Sequence, residues 1–291
     1  MTPAAFCYHA PASLEEALAL LHEHGEEAKI LAGGHSLLPA MKLRLAAPRQ
    51  LIDLRRLRGE LDFVREVDGA VVIGALTTHE KLASSDTVRR LTPVLAQTAS
   101  CVGDMQVRNM GTLGGSLAHA DPAGDPPAAV LAAEAELVVQ GSGGARTTQA
   151  GEFFFGFFTT ALEPGEVLTE VRIKPAGQGS GSSYQKFANP ASGYAVCGVA
   201  AVVSRDGDKV ASCRIGITGV SDGAYRADAV ERAVVGESFA DDLVTEASRL
   251  AADGVEPLED SYAGADYRRH LAAVLTKRAI EEAWRRTGAT I

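Results

Sequence analysis

Apolar residues first recur at helical spacing at Leu14, Ala17, Leu18 and Leu21. Ser13-Leu14-Glu15-Glu16 stands ahead of them as a capping box, with serine taking an early amide and glutamate reaching back. Gly25 is placed to stop that helix. The pattern then shifts to short apolar runs that read as strands: Lys29 to Ala32, ending at Gly33-Gly34, then Leu51 to Leu54 and Ala70 to Gly74. Thr78 caps a helix beginning near His79. Helical periodicity runs from about Asp86 to Ala99, interrupted at Thr92-Pro93, where proline lacks the donor. Periodicity is lost from Val102 to Pro127, and this glycine- and proline-rich stretch is expected to be irregular and partly buried. Ala128 to Glu134 reads as helix, Glu136 to Thr148 as a hairpin about a glycine-rich turn, and Glu166 to Ile173 as an alternating strand.

The stretch Pro175 to Ser183 carries Gly177, Gly179 and Gly181 among serines and reads as a linker, placed at 177–183. Beyond it come strands at Tyr184 to Phe187, Tyr194 to Ser204 and Lys209 to Thr218, the last two joined at Asp206-Gly207-Asp208. Helices follow at about Arg226 to Val235, Ala240 to Asp253 and Tyr267 to Trp284. Strands followed by helices define an α+β domain over 184–291, behind a first domain over 1–176. The chain shows no internal repeat.

Charge and composition narrow the function. A net charge of −9 over 291 residues argues against a nucleic-acid binder. No apolar run approaches the length of a membrane span, and the N-terminus lacks the basic and apolar regions of a signal peptide. Cys7, Cys101, Cys197 and Cys213 are scattered, which suits reduced thiols in the cytoplasm and not a zinc site or iron–sulfur cluster. No G-x-G-x-x-G, Walker A or H-E-x-x-H motif is present, and Gly114-Gly115-Ser116-Leu117-Ala118 lacks the last glycine of a nucleophile elbow.

Two glycine loops remain. Ala32-Gly33-Gly34-His35-Ser36 follows a strand directly. It is either a plain strand-to-helix turn or a nest of inward amides suited to phosphate oxygens, with Ser36 adding a hydroxyl. The second runs from Val107-Arg108-Asn109 through Gly111-Thr112-Leu113-Gly114-Gly115-Ser116 and His119-Ala120-Asp121-Pro122 to Asp125. A long irregular stretch inside a compact domain is commonly functional. The aspartates could accept from sugar hydroxyls, bind a cation, or merely cap helices.

Together, about 80 residues apart, the loops resemble those of the FAD-binding medium subunits of molybdenum hydroxylases. That family includes the carbon monoxide dehydrogenase medium subunit and the flavin domain of xanthine dehydrogenase. The resemblance extends through Glu166-Val167-Leu168, Tyr184-Gln185-Lys186-Phe187, Gly193-Tyr194-Ala195-Val196 and Tyr267-Arg268-Arg269-His270-Leu271. It implies a two-subdomain FAD-binding fold of the vanillyl-alcohol-oxidase type, with subdomains at about 1–57 and 58–176, plus a C-terminal α+β domain of the CO dehydrogenase flavoprotein type.

By the same resemblance, non-covalent FAD is held by backbone amides of Ala32, Gly33, Gly34, His35 and Ser36, and of Gly111, Thr112, Gly114, Gly115 and Ser116. Asp125 accepts from a ribose hydroxyl, Leu168 touches the adenine end, Lys186 lies close to the cofactor, and Tyr194 gates the flavin ring. Taken by themselves, Lys186 and Tyr194 are ordinary strand residues. No protein group is assigned as catalytic. Implied partners are a large molybdopterin subunit and a small [2Fe–2S] subunit in a heterotrimer, with quinone, NAD or oxygen as external acceptor. The alternative is a stand-alone flavin oxidoreductase using His35, His119 or Asp121 as base. Met105, Met110 and Asn189-Pro190 depart from the family pattern, which bears on loop shape and partner contacts, and the cysteine-bearing insertion of 4-hydroxybenzoyl-CoA reductase is absent.

Overall fold

The computed structural model describes residues 2–288. The chain opens with β1 (Cys7–His9), α1 (Leu14–His24), β2 (Ala28–Leu31), α2 (Leu37–Lys42) and β3 (Gln50–Asp53). The three strands pair in parallel in the order β1-β3-β2. Ser13 caps α1 by accepting from the Glu16 amide at 3.1 Å, and Glu16 reaches back to the Ala12 amide at 2.6 Å. Ala17 and Leu21 of α1 pack with Ala28 and Ile52 into a small core.

A second unit follows. It contains α3 (Arg58–Leu61), β4 (Val64–Val67), β5 (Ala70–Gly74), α4 (His79–Ser84), α5 (Asp86–Leu91), α6 (Pro93–Ser100), α7 (Met105–Met110), α8 (Leu113–His119) and α9 (Asp125–Ala132). It is completed by β6 (Glu136–Gly141), β7 (Gly144–Gln149), the short hairpin β8 (Phe154–Gly156) and β9 (Thr159–Thr160), and β10 (Val167–Ile173). Its sheet is antiparallel in the order β4-β5-β10-β6-β7. Val71, Ile73, Leu137, Val139 and Val171 face its main core, against Leu95, Leu113 and Leu117 of the helices.

The third unit is β11 (Ser180–Ala188), β12 (Ala195–Asp206), β13 (Lys209–Thr218) and β14 (Tyr225–Arg226), then α10 (Asp228–Val234), α11 (Asp241–Ser248) and α12 (Ala265–Arg286). Its four strands form an antiparallel meander in chain order. Helix α12 lays Leu271, Leu275, Ala279 and Ile280 on one face of that sheet, and α9 of the second unit covers the other side. The expected α+β architecture is therefore observed.

Two expectations differ from what the chain does. The stretch 102–127 is not irregular: it holds α7, α8 and the start of α9. Glycines are poor helix formers, yet Gly114 and Gly115 lie in α8. A Cβ on Gly114 would come 2.5 Å from the Ala75 Cβ, and one on Gly115 would come 2.7 Å from Thr112 Oγ1. Pro126 and Pro127 sit in the first turn of α9, where a missing N–H costs nothing. Likewise, Ser180 to Ser183, read as the end of a linker, are the first residues of β11 and pair with Ala201 to Ser204. Small residues are needed there because α12 packs backbone to backbone: a Cβ on Gly181 would come 2.8 Å from Thr287 N.

The third sheet docks on α9 just as closely. A Cβ on Gly216 would fall on the Ala128 carbonyl group, 2.9 Å from its carbon. Gly216→Val is expected to lower unfolding stability by about 1–3 kcal/mol, the range for overpacking. Thermal denaturation checks this, and an unchanged melting temperature would refute tight docking at that point.

Candidate functional site

Strand β2 of the parallel sheet ends at Leu31, and the chain turns through Ala32 to Ser36 into α2. Ligands in such sheets bind beyond the carboxyl ends of strands. The amides of Gly33, Gly34, His35, Ser36 and Leu37 donate to no group among the described residues. These residues are half-buried and His35 is exposed, so the five donors, which run into the first turn of α2, are open to solvent and free to meet an acceptor. Only Gly34 has positive φ, +79°. Gly33 is required for another reason: a Cβ there would clash with the Met110 carbonyl oxygen and come 2.8 Å from Gly111 Cα. The two glycine loops thus meet backbone to backbone.

The second loop is pinned by the segment after β5. The His79 amide donates to Gly111 O at 3.0 Å, Leu113 N to Thr77 O at 2.9 Å, and Gly114 N to Ala75 O at 2.8 Å. Thr112 caps α8 by accepting from Gly115 N at 3.1 Å, and Ser116 N donates to Thr112 O at 3.0 Å. The amides of Gly111, Gly114, Gly115 and Ser116 are therefore consumed within the chain, Gly111 N by Val107 O. This differs from the expected ligand-facing amides in that loop. What the second loop offers the groove is its Thr112 amide, its Ser116 hydroxyl and room, since Gly115 Cα faces Ala32 and a Cβ would stand 3.5 Å from the Ala32 Cβ.

His79 was not singled out from the sequence, where a lone histidine at a helix start carries no signal. Here it is 2% exposed and its Nε2 lies 3.0 Å from Ser116 Oγ. Burial pushes its pKa down to about 4, helped by nearby His35 and Arg108. Arg108, from the Val-Arg-Asn motif, fastens α7 to α4 through Glu80 at 2.9 Å and to the Gly103 carbonyl at 3.2 Å.

The third unit closes the groove from one side. Thr218 Oγ1 donates to Pro122 O and Gly124 O, both at 2.8 Å, and Ala195 N donates to Ala123 O at 3.2 Å. Arg268 of α12, buried, donates to Val196 O at 2.7 Å and to Gly219 O, fixing the strand ends behind this loop. Asp125 is buried too. Its Oδ1 accepts from Tyr184 OH at 2.5 Å and its Oδ2 from Lys186 Nζ at 2.8 Å. Burial pushes the Asp125 carboxyl up and Lys186 opposes it.

Tyr194 is part exposed at the start of β12. Burial and the Asp121 charge push its phenol up, while the Ser36 hydroxyl facing it works the other way. The Tyr194 backbone is held locally, its carbonyl accepting from Asn189 N at 2.8 Å, next to Ala195, which donates to the second loop. Leu168 lies at a bulge in β10, buried beside Thr169, whose carbonyl accepts from Ala75 N at 2.8 Å. His35 is exposed; His119 stacks on Phe158 with ring centroids 4.9 Å apart, and Asp121 Oδ1 accepts from Ala123 N. His119 Nε2 stands 3.9 Å from Asp121 Oδ2, too far for a hydrogen bond that would orient the ring as a base.

Such a cradle, built from unpaired amides and crowded glycines between two α/β units, defines a nucleotide-cofactor protein. The chain belongs to the family of FAD-binding domains in molybdopterin dehydrogenases, which it matches over residues 4–176, followed by a CO dehydrogenase flavoprotein C-terminal domain over 182–283. It is 43% identical to the carbon monoxide dehydrogenase medium chain of Hydrogenophaga pseudoflava, over 98% of this chain and 99% of that one. It is 36% identical to the glyceraldehyde dehydrogenase medium chain of Sulfolobus acidocaldarius, over 97% and 99%. A solved structure of the Hydrogenophaga pseudoflava carbon monoxide dehydrogenase superposes with a TM-score of 0.96 at 44% identity, covering 98% of this chain and 99% of that one. The chain is thus an FAD-binding oxidoreductase component of the medium-chain type.

Proposed function

We propose that this chain is the electron-transfer flavoprotein of a molybdenum hydroxylase complex. In that reading it takes electrons from a small [2Fe–2S] subunit and passes them to an external acceptor such as quinone, NAD or oxygen, while a large molybdopterin subunit oxidises substrate. The carrying observation is the run of five unpaired amides from Gly33 to Leu37, wedged against the second glycine loop, in a chain that matches medium chains end to end. When bound, FAD supplies the capacity to accept electrons singly and release them in pairs; the protein supplies position and electrostatics. The amides of Gly33 to Ser36 bind the pyrophosphate oxygens, as backbone nests do. Ser36 and Ser116 add hydroxyl donors. Asp125 is already bonded to Tyr184 and Lys186, so it accepts a ribose hydroxyl through a remaining lone pair. Leu168 lies at the adenine end, and Tyr194 covers the ring edge.

Partners are required for the cluster step. Cys197 and Cys213 are buried and apart from the exposed Cys7 and Cys101. Among the described residues no group of three or more His, Cys, Asp or Glu is placed to hold a metal, and no helix is long and apolar enough to cross a membrane. The similar chains come from enzymes named for carbon monoxide and for glyceraldehyde, so substrate choice lies with the partner. The test is the metal content and absorption spectrum of the co-purified complex, followed by anaerobic reduction. Flavin in the complex is expected to be reduced by substrate, and flavin in the chain by itself is expected not to be. Direct reduction of the separated chain would replace this reading with a stand-alone oxidoreductase.

A further inference from the structure

His79 is a buried titratable group next to the cradle that the reading above leaves unused. Its ring is pressed under Gly111: a Cβ there would come 2.9 Å from His79 Cδ2. Nε2 meets Ser116 Oγ at 3.0 Å, and Nδ1 is buried with no partner. A neutral imidazole carries one proton, and the two placements are unequal. On Nδ1 it would bury an N–H without an acceptor, and an orphaned buried donor is rarer and costlier than an orphaned lone pair. On Nε2 it donates to Ser116 Oγ. Ser116 then has its lone pair occupied by the ring and its own proton free, with no other acceptor among the described residues. Ser116 follows Gly115, whose Cα faces Ala32 of the first glycine loop.

We propose that His79 is a positioning residue: as the Nε2–H tautomer it donates to Ser116 and so fixes the Ser116 hydroxyl as a hydrogen-bond donor to a phosphate oxygen of the dinucleotide. The proposal rests on the reading that Ser116 faces the cofactor. Burial keeps His79 neutral across the working pH range, so the arrangement does not switch. A protonated ring would also donate to Ser116, but it would bury a second N–H with no acceptor.

The test uses the full chain freed of FAD, with FAD affinity read by fluorescence quenching in Ser116→Ala, His79→Phe, His79→Gln and the double variant His79→Phe/Ser116→Ala. Ser116→Ala and His79→Phe are each expected to weaken binding roughly 10-fold, as expected for a bond to a charged group. The double variant is expected to be no weaker than either single one. His79→Gln, whose amide nitrogen reaches where Nε2 does, is expected to restore most of the affinity. Nitrogen-15 NMR of His79 in the unmodified protein is expected to show the proton on Nε2, a readout that survives if a variant fails to fold. Unaltered affinity in Ser116→Ala would refute the placement of Ser116 at the cofactor. Loss in Ser116→Ala but not in His79→Phe, additive losses, or a proton on Nδ1 would overturn the role of His79 while leaving the cradle intact.

Discussion

Gly33→Val is expected to yield a folded, colourless protein. The substitution places a side chain against the Met110 carbonyl and within 2.8 Å of Gly111 Cα, so the two glycine loops must separate. Both obstacles are backbone atoms, fixed by the hydrogen bonds of α7 and by the His79 amide on Gly111 O, so neither gives way as a flexible side chain would. Overpacking of this kind costs about 1–3 kcal/mol, and at 1.4 kcal/mol per tenfold the affinity for FAD falls by at least about 10–100-fold. The fold is expected to survive because Gly33 belongs to none of the hydrophobic clusters; Leu31 and Leu37, at either end of its loop, pack with Met41 and Leu51 on their own. Gly143→Ala, at an exposed turn where a Cβ meets nothing within 4 Å, serves as the control and keeps its flavin. The measurement is the ratio of flavin absorbance to protein absorbance after purification, with circular dichroism to confirm folding. A yellow Gly33→Val protein would show that the meeting of the loops is not where the cofactor sits.

How much of this was legible in the sequence depends on whether the determinant was local. The Ser13 cap, the helix start at His79 and the strand Lys209–Thr218 were readable because each is encoded by neighbours in the chain. The turn from β2 through the first glycine loop into α2 was readable for the same reason, since strand, glycines and serine follow one another directly. Helix α8 was not, because its Gly114 answers to Ala75 and the Gly111 ahead of it to His79, residues packed from another element. The same logic hid the small residues of β11, whose partner is the backbone of α12 about 100 residues later. Composition made Gly181 look like slack chain when it is a point of closest packing. His79 carries no pattern at all, and the motif around Arg108 does not say what its guanidinium holds. Their roles exist only once Gly111, Ser116 and Glu80 are brought beside them. The resemblance assigned ligand-facing amides to the second loop, and the hydrogen bonds there run otherwise. Its amides are spent on the chain, which makes that loop a rigid wall with hydroxyl donors and the first loop the amide donor.

The Asp125–Lys186 pair, 61 residues apart in sequence, couples stability to the same site. Both side chains are nearly inaccessible, at 6% and 7%, and the Asp125 carboxylate also takes the Tyr184 hydroxyl. Removing one partner of a buried pair leaves an uncompensated charge and costs about 3–5 kcal/mol. Lys186→Met is therefore expected to lower the melting temperature by roughly 6–20 °C, at about 2–4 °C per kcal/mol for a chain this size or somewhat smaller. The loss depends on pH with a definite sign. Burial already raises the Asp125 carboxyl above its ordinary value, with Lys186 opposing; without Lys186 it rises further. A carboxyl whose folded value lies above its unfolded one binds its proton more tightly in the native state. The stability it contributes is thus greatest in acid and is lost as pH rises through the folded value. Lys186→Met should consequently cost less at pH 5 than at pH 8. Adding Asp125→Asn, which removes the buried charge, should recover part of the loss at pH 8 and little at pH 5. Thermal denaturation of the single and double variants at the two pH values decides the matter. An equal loss at both, or no recovery in the double variant, would mean that the pair is not a buried charge balance. Because Asp125 opens α9 and α9 docks on β13, its loss is felt across both units that enclose the groove. FAD affinity is expected to fall along with the melting temperature.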